Sequence, residues 1–160
     1  GCGRTPWHFD DHHFPLDTND VVTAWVPAQP IPLEMGPLTF AYPLDVHELV
    51  NAVTFEKTGT GYDRGVSDVF SKNNVSVNET PFELGEVSFH HNLNFHTASS
   101  NRTNRSRVAL ANTYYRDGAR VVNAPTMVSG DWQKFMPNVK PGDVAASPLN
   151  PICWPVKDKS

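Results

Sequence analysis

Three residues of this chain, His8, Asp10 and His96, have the types and the spacing of a metal-ligand set. A His-x-Asp pair with one distant histidine is the ligand set of the facial triad, which binds Fe(II) on one side and leaves coordination positions open on the other. Arg107 follows His96 by eleven residues, and its planar guanidinium suits the carboxylate of a dicarboxylic co-substrate. The four residues together predict an oxygenase site.

The geometry of a β-strand explains why this spacing matters. Alternate residues of a strand point to the same face, so His8 and Asp10 would reach one ion while the residues beside them pack on the other side. The same alternation predicts a polar face shared by Asn92, Asn94 and His96. A polar, ligand-bearing face fits the wall of a small barrel that encloses a site.

Four other histidines offer alternatives to this ligand set. His12, His13, His90 and His91 are either replacement ligands or residues that satisfy hydrogen bonds near the surface. The first two directly follow the His-x-Asp pair, so they are also candidates for contact with a substrate.

Length and charge narrow the class of protein. The 160 residues fit one domain, residues 1–160, and the formal net charge of -4 gives no electrostatic footprint for nucleic acid. No run of about 18 apolar residues is present, so we expect no membrane span. Cys2 and Cys153 are the only cysteines, which indicates free thiols in a reducing compartment and predicts a cytoplasmic location.

The pattern of the chain favours short strands over a helical bundle. Fourteen prolines and ten glycines interrupt it. Alternation predicts strands at residues 21–26, 86–96 and 107–115, and helical spacing predicts a short helix within residues 45–53. The polar residues 54–83 show little periodicity and are predicted to form a long loop or lid.

Several segments resemble the phytanoyl-CoA dioxygenase family. Residues 90–107 are similar to its distal motif, in which a His-His pair precedes a strand ending in the third metal ligand, and an Asn-Arg-Ser/Thr loop leads to an arginine eleven residues after that ligand. The resemblance continues, in the order found in the family, at three further places. These are the proximal motif, the strand and turn after it, and the tail of bacterial members: residues 5–10, residues 24–26 with 35–38, and residues 141–143 with 147–151.

The resemblance implies an all-β fold, the double-stranded β-helix or cupin-like jelly roll. It implies an Fe(II)- and 2-oxoglutarate-dependent dioxygenase that hydroxylates a C–H bond of a small organic substrate while 2-oxoglutarate is decarboxylated to succinate. Ascorbate is a candidate reductant. His8, Asp10 and His96 match the iron ligands, Arg107 matches the residue that binds the distal carboxylate of 2-oxoglutarate, and Trp25 matches a residue that lines the co-substrate pocket.

The chain also departs from the family pattern. Thr97 and Ala98 stand where the family usually has Gly followed by Ser or Ala, so a hydroxyl contact to the co-substrate is lost unless Ser99 supplies it. Family members have a long segment before the proximal motif, so we expect this chain to be the C-terminal portion of the family domain, with a jelly roll incomplete at its N-terminus.

Two other functions fit the same residues. One is a non-catalytic metal-binding cupin-type module or truncated pseudoenzyme, and the other is a zinc site built from the same imidazole and carboxylate groups. Arg107 counts against both, because a simple metal site has no need of it.

Overall fold

The computed structural model describes residues 3–55, 61–123 and 132–154, and their regular structure is mostly β-sheet. The seven strands of these residues are β1 (Thr5–His8), β2 (Val21–Pro27), β3 (Leu38–Tyr42), β4 (Ser76–Glu79), β5 (Ser88–His91), β6 (His96–Ala98) and β7 (Ala109–Tyr115). They form a four-stranded sheet in the order β1-β6-β3-β4 and a three-stranded sheet in the order β5-β2-β7. The predicted all-β class is confirmed.

The described residues contain few helices. They are α1 (Val46–Val50), α2 (Gly61–Asn73) and 3-10 turns at Asp10–His13, Leu33–Met35 and Trp132–Lys134. The helix predicted within residues 45–53 is confirmed as α1. Among the described residues, none of the helices combines the length and the apolar character that crossing a bilayer requires.

Two of the three predicted strands are confirmed, as β2 and β7, and the third is interrupted. The strand predicted over residues 86–96 is two strands, because β5 ends at His91 and β6 begins at His96. In the turn between them the backbone N–H of Asn94 donates to the carbonyl of His91 at 2.9 Å. Asparagine is common in such turns. Asn92 and Asn94 lie in the turn and only His96 lies on β6, so the prediction that all three share the polar face of a single strand is wrong.

The segment 54–83 is more regular than the loop that its composition predicts. It contains α2 and β4, although residues 56–60 lie outside the described part of the chain. Gly65 permits α2 to pack closely, because a Cβ at this position would lie 2.6 Å from Cγ1 of Val53. The loop assignment is therefore wrong for the helix and the strand, and the role of the segment as a lid stays a prediction.

The chain divides into two compact units, each with an apolar core of its own. The first consists of Gly1–Asp10 and Val22–Thr113, and the second of Asp11–Val21 and Tyr114–Ser160. The first unit has two apolar clusters, one formed by Phe9, Ala41, Val46, Val50, Tyr62, Val66 and Phe95 and the other by Ile31, Met35 and Phe82. The cluster of the second unit includes Leu16, Val21, Val121, Trp132 and Met136. That the two form one oxygenase domain stays a prediction.

Candidate metal centre

His8 and Asp10 lie on either side of a strand end. β1 ends at His8, Phe9 is buried in the larger apolar cluster of the first unit, and Asp10 begins a 3-10 turn. The alternation predicted that the two residues lie on one strand, and this prediction is wrong. They nevertheless converge, with 3.6 Å between His8 Nε2 and Asp10 Oδ1. The buried Phe9 is the anchor that turns the chain between them.

His96 completes the predicted triad. It is the first residue of β6 and pairs with His8 in the antiparallel register of β1 and β6. Its Nε2 lies 3.7 Å from Asp10 Oδ1, and the ligand atoms of all three residues lie within 4.8 Å of one another. Ligands about 2.1 Å from a metal and at right angles to each other are about 3 Å apart. A small inward movement therefore lets these three atoms share one ion.

Both histidines are oriented by the main chain. Nδ1 of His8 lies 2.9 Å from the carbonyl oxygen of Pro6, and Nδ1 of His96 lies 2.8 Å from the carbonyl oxygen of Asn94. A carbonyl oxygen only accepts hydrogen bonds, so each Nδ1 carries the proton and each Nε2 presents a lone pair. Metal-binding histidines are commonly oriented in this way: the ring nitrogen that does not bind the metal donates its N–H to a carbonyl or carboxylate oxygen.

The two oxygens of Asp10 have different neighbours. Oδ1 faces His8 and His96, whereas Oδ2 accepts a 3.2 Å hydrogen bond from Thr23 Oγ1 and lies 3.6 Å from Nε2 of His90. Thr23 Oγ1 is also 3.0 Å from Thr113 Oγ1, and because Thr23 donates to the carboxylate, Thr113 donates to Thr23. The first oxygen is thus left for a metal and the second is held by the three-stranded sheet.

The pKa values of Asp10 and His96 are both lowered in the site, which favours the binding of a cation. Burial by itself raises the pKa of Asp10, but the polar contact with His90 and the charges of His96, His8 and His90 outweigh it and lower the pKa to about 2. Burial and the charge of His8 lower the pKa of His96 to about 4, although Asp10 and the carbonyl of Asn94 act in the opposite direction. Near neutral pH the site therefore offers an ionised carboxylate and a neutral imidazole.

His90 is a residue beside the triad whose position the sequence did not reveal. It is only 5% exposed, it pairs with Thr23 across β5 and β2, and its ring centroid lies 4.7 Å from that of His96. The sequence suggested it only as a replacement ligand. The available signal was the alternation of β5, which places His90 on the face opposite to its neighbour His91.

Arg107 lies where two turns meet. Its Nη1 donates to the carbonyl oxygens of Met35 and Ser99, each at 3.4 Å, and to that of Gly36. Its Nη2 and Nε make no hydrogen bond to any residue that the structure describes. Ser99 comes three residues after His96, which corresponds to about 10 Å along an extended strand. Arg107 is therefore anchored by one nitrogen near the end of the ligand-bearing β6.

Trp25 is partly buried on β2. Its ring meets Phe82 edge to face at 5.0 Å and lies against the apolar cluster of Ile31, Met35 and Phe82. Trp25 and Thr23 are two residues apart on β2 and share a face of its sheet. Trp25 thus lies on the same face as the threonine that contacts Asp10, next to the cluster that includes Met35.

The other residues that the sequence analysis singled out do not belong to the metal-ligand set. Nδ2 of Asn94 donates to the carbonyl of Ala41 at 3.2 Å, so this side chain holds the turn before His96. Thr97 Oγ1 donates to the carbonyl of Thr5 at 2.6 Å and joins β6 to β1. His12 and His13 belong to the second compact unit, and their contact with a substrate stays a prediction.

Comparisons with known structures identify the fold. The chain is similar to the structure of SnoK, a non-haem alpha-ketoglutarate-dependent carbocyclase of nogalamycin biosynthesis, with 23% identity, a TM-score of 0.67 and coverage of 92% of this chain and 54% of that one. For the SnoN epimerase of the same biosynthesis the values are 20%, 0.65, 92% and 54%. These likenesses confirm the predicted cupin-like jelly roll.

The chain spans about half the length of these relatives. A search of curated proteins gave no match. The family model described as phytanoyl-CoA dioxygenase (PhyH) matches residues 1–109, which include His8, Asp10, His96 and Arg107. The chain therefore belongs to the phytanoyl-CoA dioxygenase family.

Proposed function

We propose that this chain carries the active site of an Fe(II)- and 2-oxoglutarate-dependent dioxygenase that hydroxylates a C–H bond of a small organic substrate. The observation that carries the proposal is the convergence of His8, Asp10 and His96, with both imidazoles fixed at Nδ1 by main-chain carbonyls. Two neutral nitrogens and one carboxylate oxygen match the donor set of non-haem Fe(II) oxygenases. Iron and 2-oxoglutarate, when bound, would activate dioxygen, which is the oxidant for the attack on the C–H bond.

Arg107 is proposed to bind the distal carboxylate of 2-oxoglutarate. Three main-chain carbonyls hold its Nη1, which leaves Nη2 and Nε to present a pair of N–H groups. Paired donors of this kind bind a carboxylate through two parallel, charge-assisted hydrogen bonds. The arginine near the end of β6 and a metal ion bound by the histidine at its start would hold the two ends of one dicarboxylate.

Trp25 is proposed to close the side of the co-substrate pocket. It is partly buried against Phe82 and lies on the sheet face that carries Thr23. A rigid aromatic wall excludes water from the neighbourhood of the arginine, and an ion pair is stronger where water is excluded. We therefore expect Trp25 to contribute to 2-oxoglutarate affinity without contributing to metal affinity.

The names of the relatives support the co-substrate and leave the outcome at the substrate open. One SnoN structure is described as a complex with Fe3+, alpha ketoglutarate and nogalamycin RO. SnoK is called a carbocyclase and SnoN an epimerase, so relatives with this fold do not share one product class. We propose hydroxylation because it is the outcome that membership of the dioxygenase family implies.

The chelate of metal and co-substrate tests the proposal without knowledge of the substrate. Fe(II) and 2-oxoglutarate are added to the protein under anaerobic conditions, and we expect a weak visible charge-transfer band that His96→Ala lacks. Tight binding of Fe(II) without a band would contradict the proposal and favour a non-catalytic metal-binding module. A zinc site would give no band with Fe(II) and 2-oxoglutarate, whereas tighter binding of Zn²⁺ than of Fe(II) is general for such ligands and does not identify one.

A further inference from the structure

A third imidazole faces the triad from the other sheet. His90 lies on β5, opposite Thr23 of β2, and both side chains face Oδ2 of Asp10, at 3.6 Å and 3.2 Å. The triad histidines face Oδ1 instead. The carboxylate is thus shared between the two sheets, one oxygen to each.

This division has a consequence for coordination. A carboxylate can bind a metal through one oxygen or through both. If Asp10 turned so that both oxygens reached the ion, it would occupy a position that 2-oxoglutarate or dioxygen needs. A group that retains Oδ2 prevents this rotation.

The ring of His90 is not oriented in the way that the two triad histidines are. Nδ1 of His8 and of His96 is held by a carbonyl, whereas Nδ1 of His90 is buried without a hydrogen-bond partner among the described residues. The group that orients ligating histidines is therefore missing at His90. Nε2 of His90 also faces Oδ2 of Asp10, whereas Nε2 of each triad histidine faces Oδ1.

We propose that His90 is a positioning residue that, together with Thr23, retains Oδ2 of Asp10 and makes this aspartate a one-oxygen ligand. The role deepens the proposed function, since it keeps roughly three of six octahedral positions free for co-substrate and dioxygen. It depends on metal binding by the triad and not on the identity of the substrate.

The test uses Mn²⁺ as the probe, because it accepts the same oxygen and nitrogen ligands and is paramagnetic. Its affinity is measured by electron paramagnetic resonance of the free ion, and the number of bound waters by water-proton relaxation. The variants are His90→Phe, which fills the site without a donor, and His90→Gln, whose amide N–H can reach a similar position. His91→Phe is the matched control, because this neighbour faces away from Asp10.

We expect the parent to bind Mn²⁺ with roughly three waters. His90→Phe should bind it about 10- to 100-fold more weakly and with one water fewer, as Asp10 turns to use both oxygens. His90→Gln should recover most of the affinity and the lost water, and His91→Phe should match the parent. A thermal melt of each variant confirms that it folds.

Three results would overturn the proposal. One water more in both His90 variants, with a severe loss of affinity, would make His90 a fourth ligand. Parent-like affinity and water number in both variants would leave it only a packing role. A parent that binds no Mn²⁺ would remove the metal centre as well. Normal Mn²⁺ behaviour without the 2-oxoglutarate band would contradict the proposed function alone.

Discussion

Gly36 and Ser99 approach each other so closely that a Cβ on Gly36 would lie 2.1 Å from the carbonyl oxygen of Ser99. Gly36 follows the 3-10 turn Leu33–Met35 and has a φ of 72°, in the left-handed region that favours glycine. Arg107 donates hydrogen bonds to the carbonyls of both residues. The anchor of the candidate co-substrate arginine therefore depends on the absence of a side chain at position 36.

Gly36→Ala is expected to destabilise the protein by about 2–5 kcal/mol. The left-handed conformation costs an L-residue about 1–2 kcal/mol, and forcing an atom into packed surroundings costs about 1–3 kcal/mol more. Urea unfolding gives the free energy. Gly118→Ala is the matched control, because Gly118 has a φ of 81° but no atom within 4 Å of an added Cβ. Equal losses in the two variants would show that the close approach to Ser99 does not matter.

Arg107→Ala is expected to weaken 2-oxoglutarate binding by about 10- to more than 100-fold, since a hydrogen bond to a charged group contributes about 1.5–3 kcal/mol. Mn²⁺ affinity should change little. Arg107→Lys should restore only part of the loss, because an ammonium cannot make the paired contact. The exposed Arg105→Ala is the control. Isothermal titration of the metal-loaded protein measures the affinity, and an unchanged value in Arg107→Ala would reduce the arginine to a structural contact.

His96→Ala is expected to abolish tight metal binding, because it removes one of the three ligand groups. It should also lower stability, since His96 is only 4% exposed and its ring lies against those of His8, His90 and Phe40. Metal titration and urea unfolding separate the two effects. His47→Ala removes a histidine outside the site and should keep the parent affinity. Retained affinity in His96→Ala would make the assignment of this ligand wrong.

The metal-free protein is expected to lose stability as the pH falls from about 6.5 to about 4. Burial and the charge of His8 lower the pKa of His96 to about 4 in the folded state, whereas a histidine in the unfolded chain titrates near 6.5. Between these values the unfolded chain binds a proton that the folded chain does not, so the free energy of unfolding decreases by up to about 3 kcal/mol. Asp10 contributes only below its ordinary pKa of 3.8.

Urea unfolding at several pH values between 7 and 4.5 measures this effect. His96→Gln carries no titrating group at the position, so its stability should change less over the same range. A parent profile that is as flat as that of His96→Gln would show that His96 takes up its proton equally well in both states.

The triad could be predicted because its residue types are rare in combination. His8, Asp10 and His96 followed from ligand chemistry and family resemblance, without knowledge of the path between them. The path itself was predicted incorrectly at Asp10, because alternation assumes that a strand continues. Instead, β1 ends at His8, and the next residue, Phe9, is buried in an apolar cluster with residues as distant in the sequence as Phe95.

The helix α2 was missed although its signal is present. Tyr62, Val66, Val69 and Phe70 recur at helical spacing, and the first two are buried in the core. Two glycines and the many polar residues hid this pattern. A glycine is needed at position 65 because the side chain of Val53 packs against it, and this contact exists only in the folded chain.

The contacts of His90 and Arg107 could not be predicted for a related reason. Both depend on pairings between distant parts of the chain, His90 with Thr23 and Asp10, and Arg107 with the carbonyl of Gly36. A single sequence shows which residues carry chemistry but not which strands lie side by side. The register of β2 and β5 is what brings a third histidine to the triad.

The groups that hold Nδ1 of the two ligand histidines are main-chain oxygens, those of Pro6 and Asn94. Every amino acid brings such an oxygen, so the tautomer of each imidazole is inherited from the course of the backbone and not from a neighbouring side chain. Position 94 has an additional role, because its amide also binds the carbonyl of Ala41. A substitution at position 6 that preserves the course of the backbone is therefore expected to leave unchanged which nitrogen of His8 faces the candidate metal site.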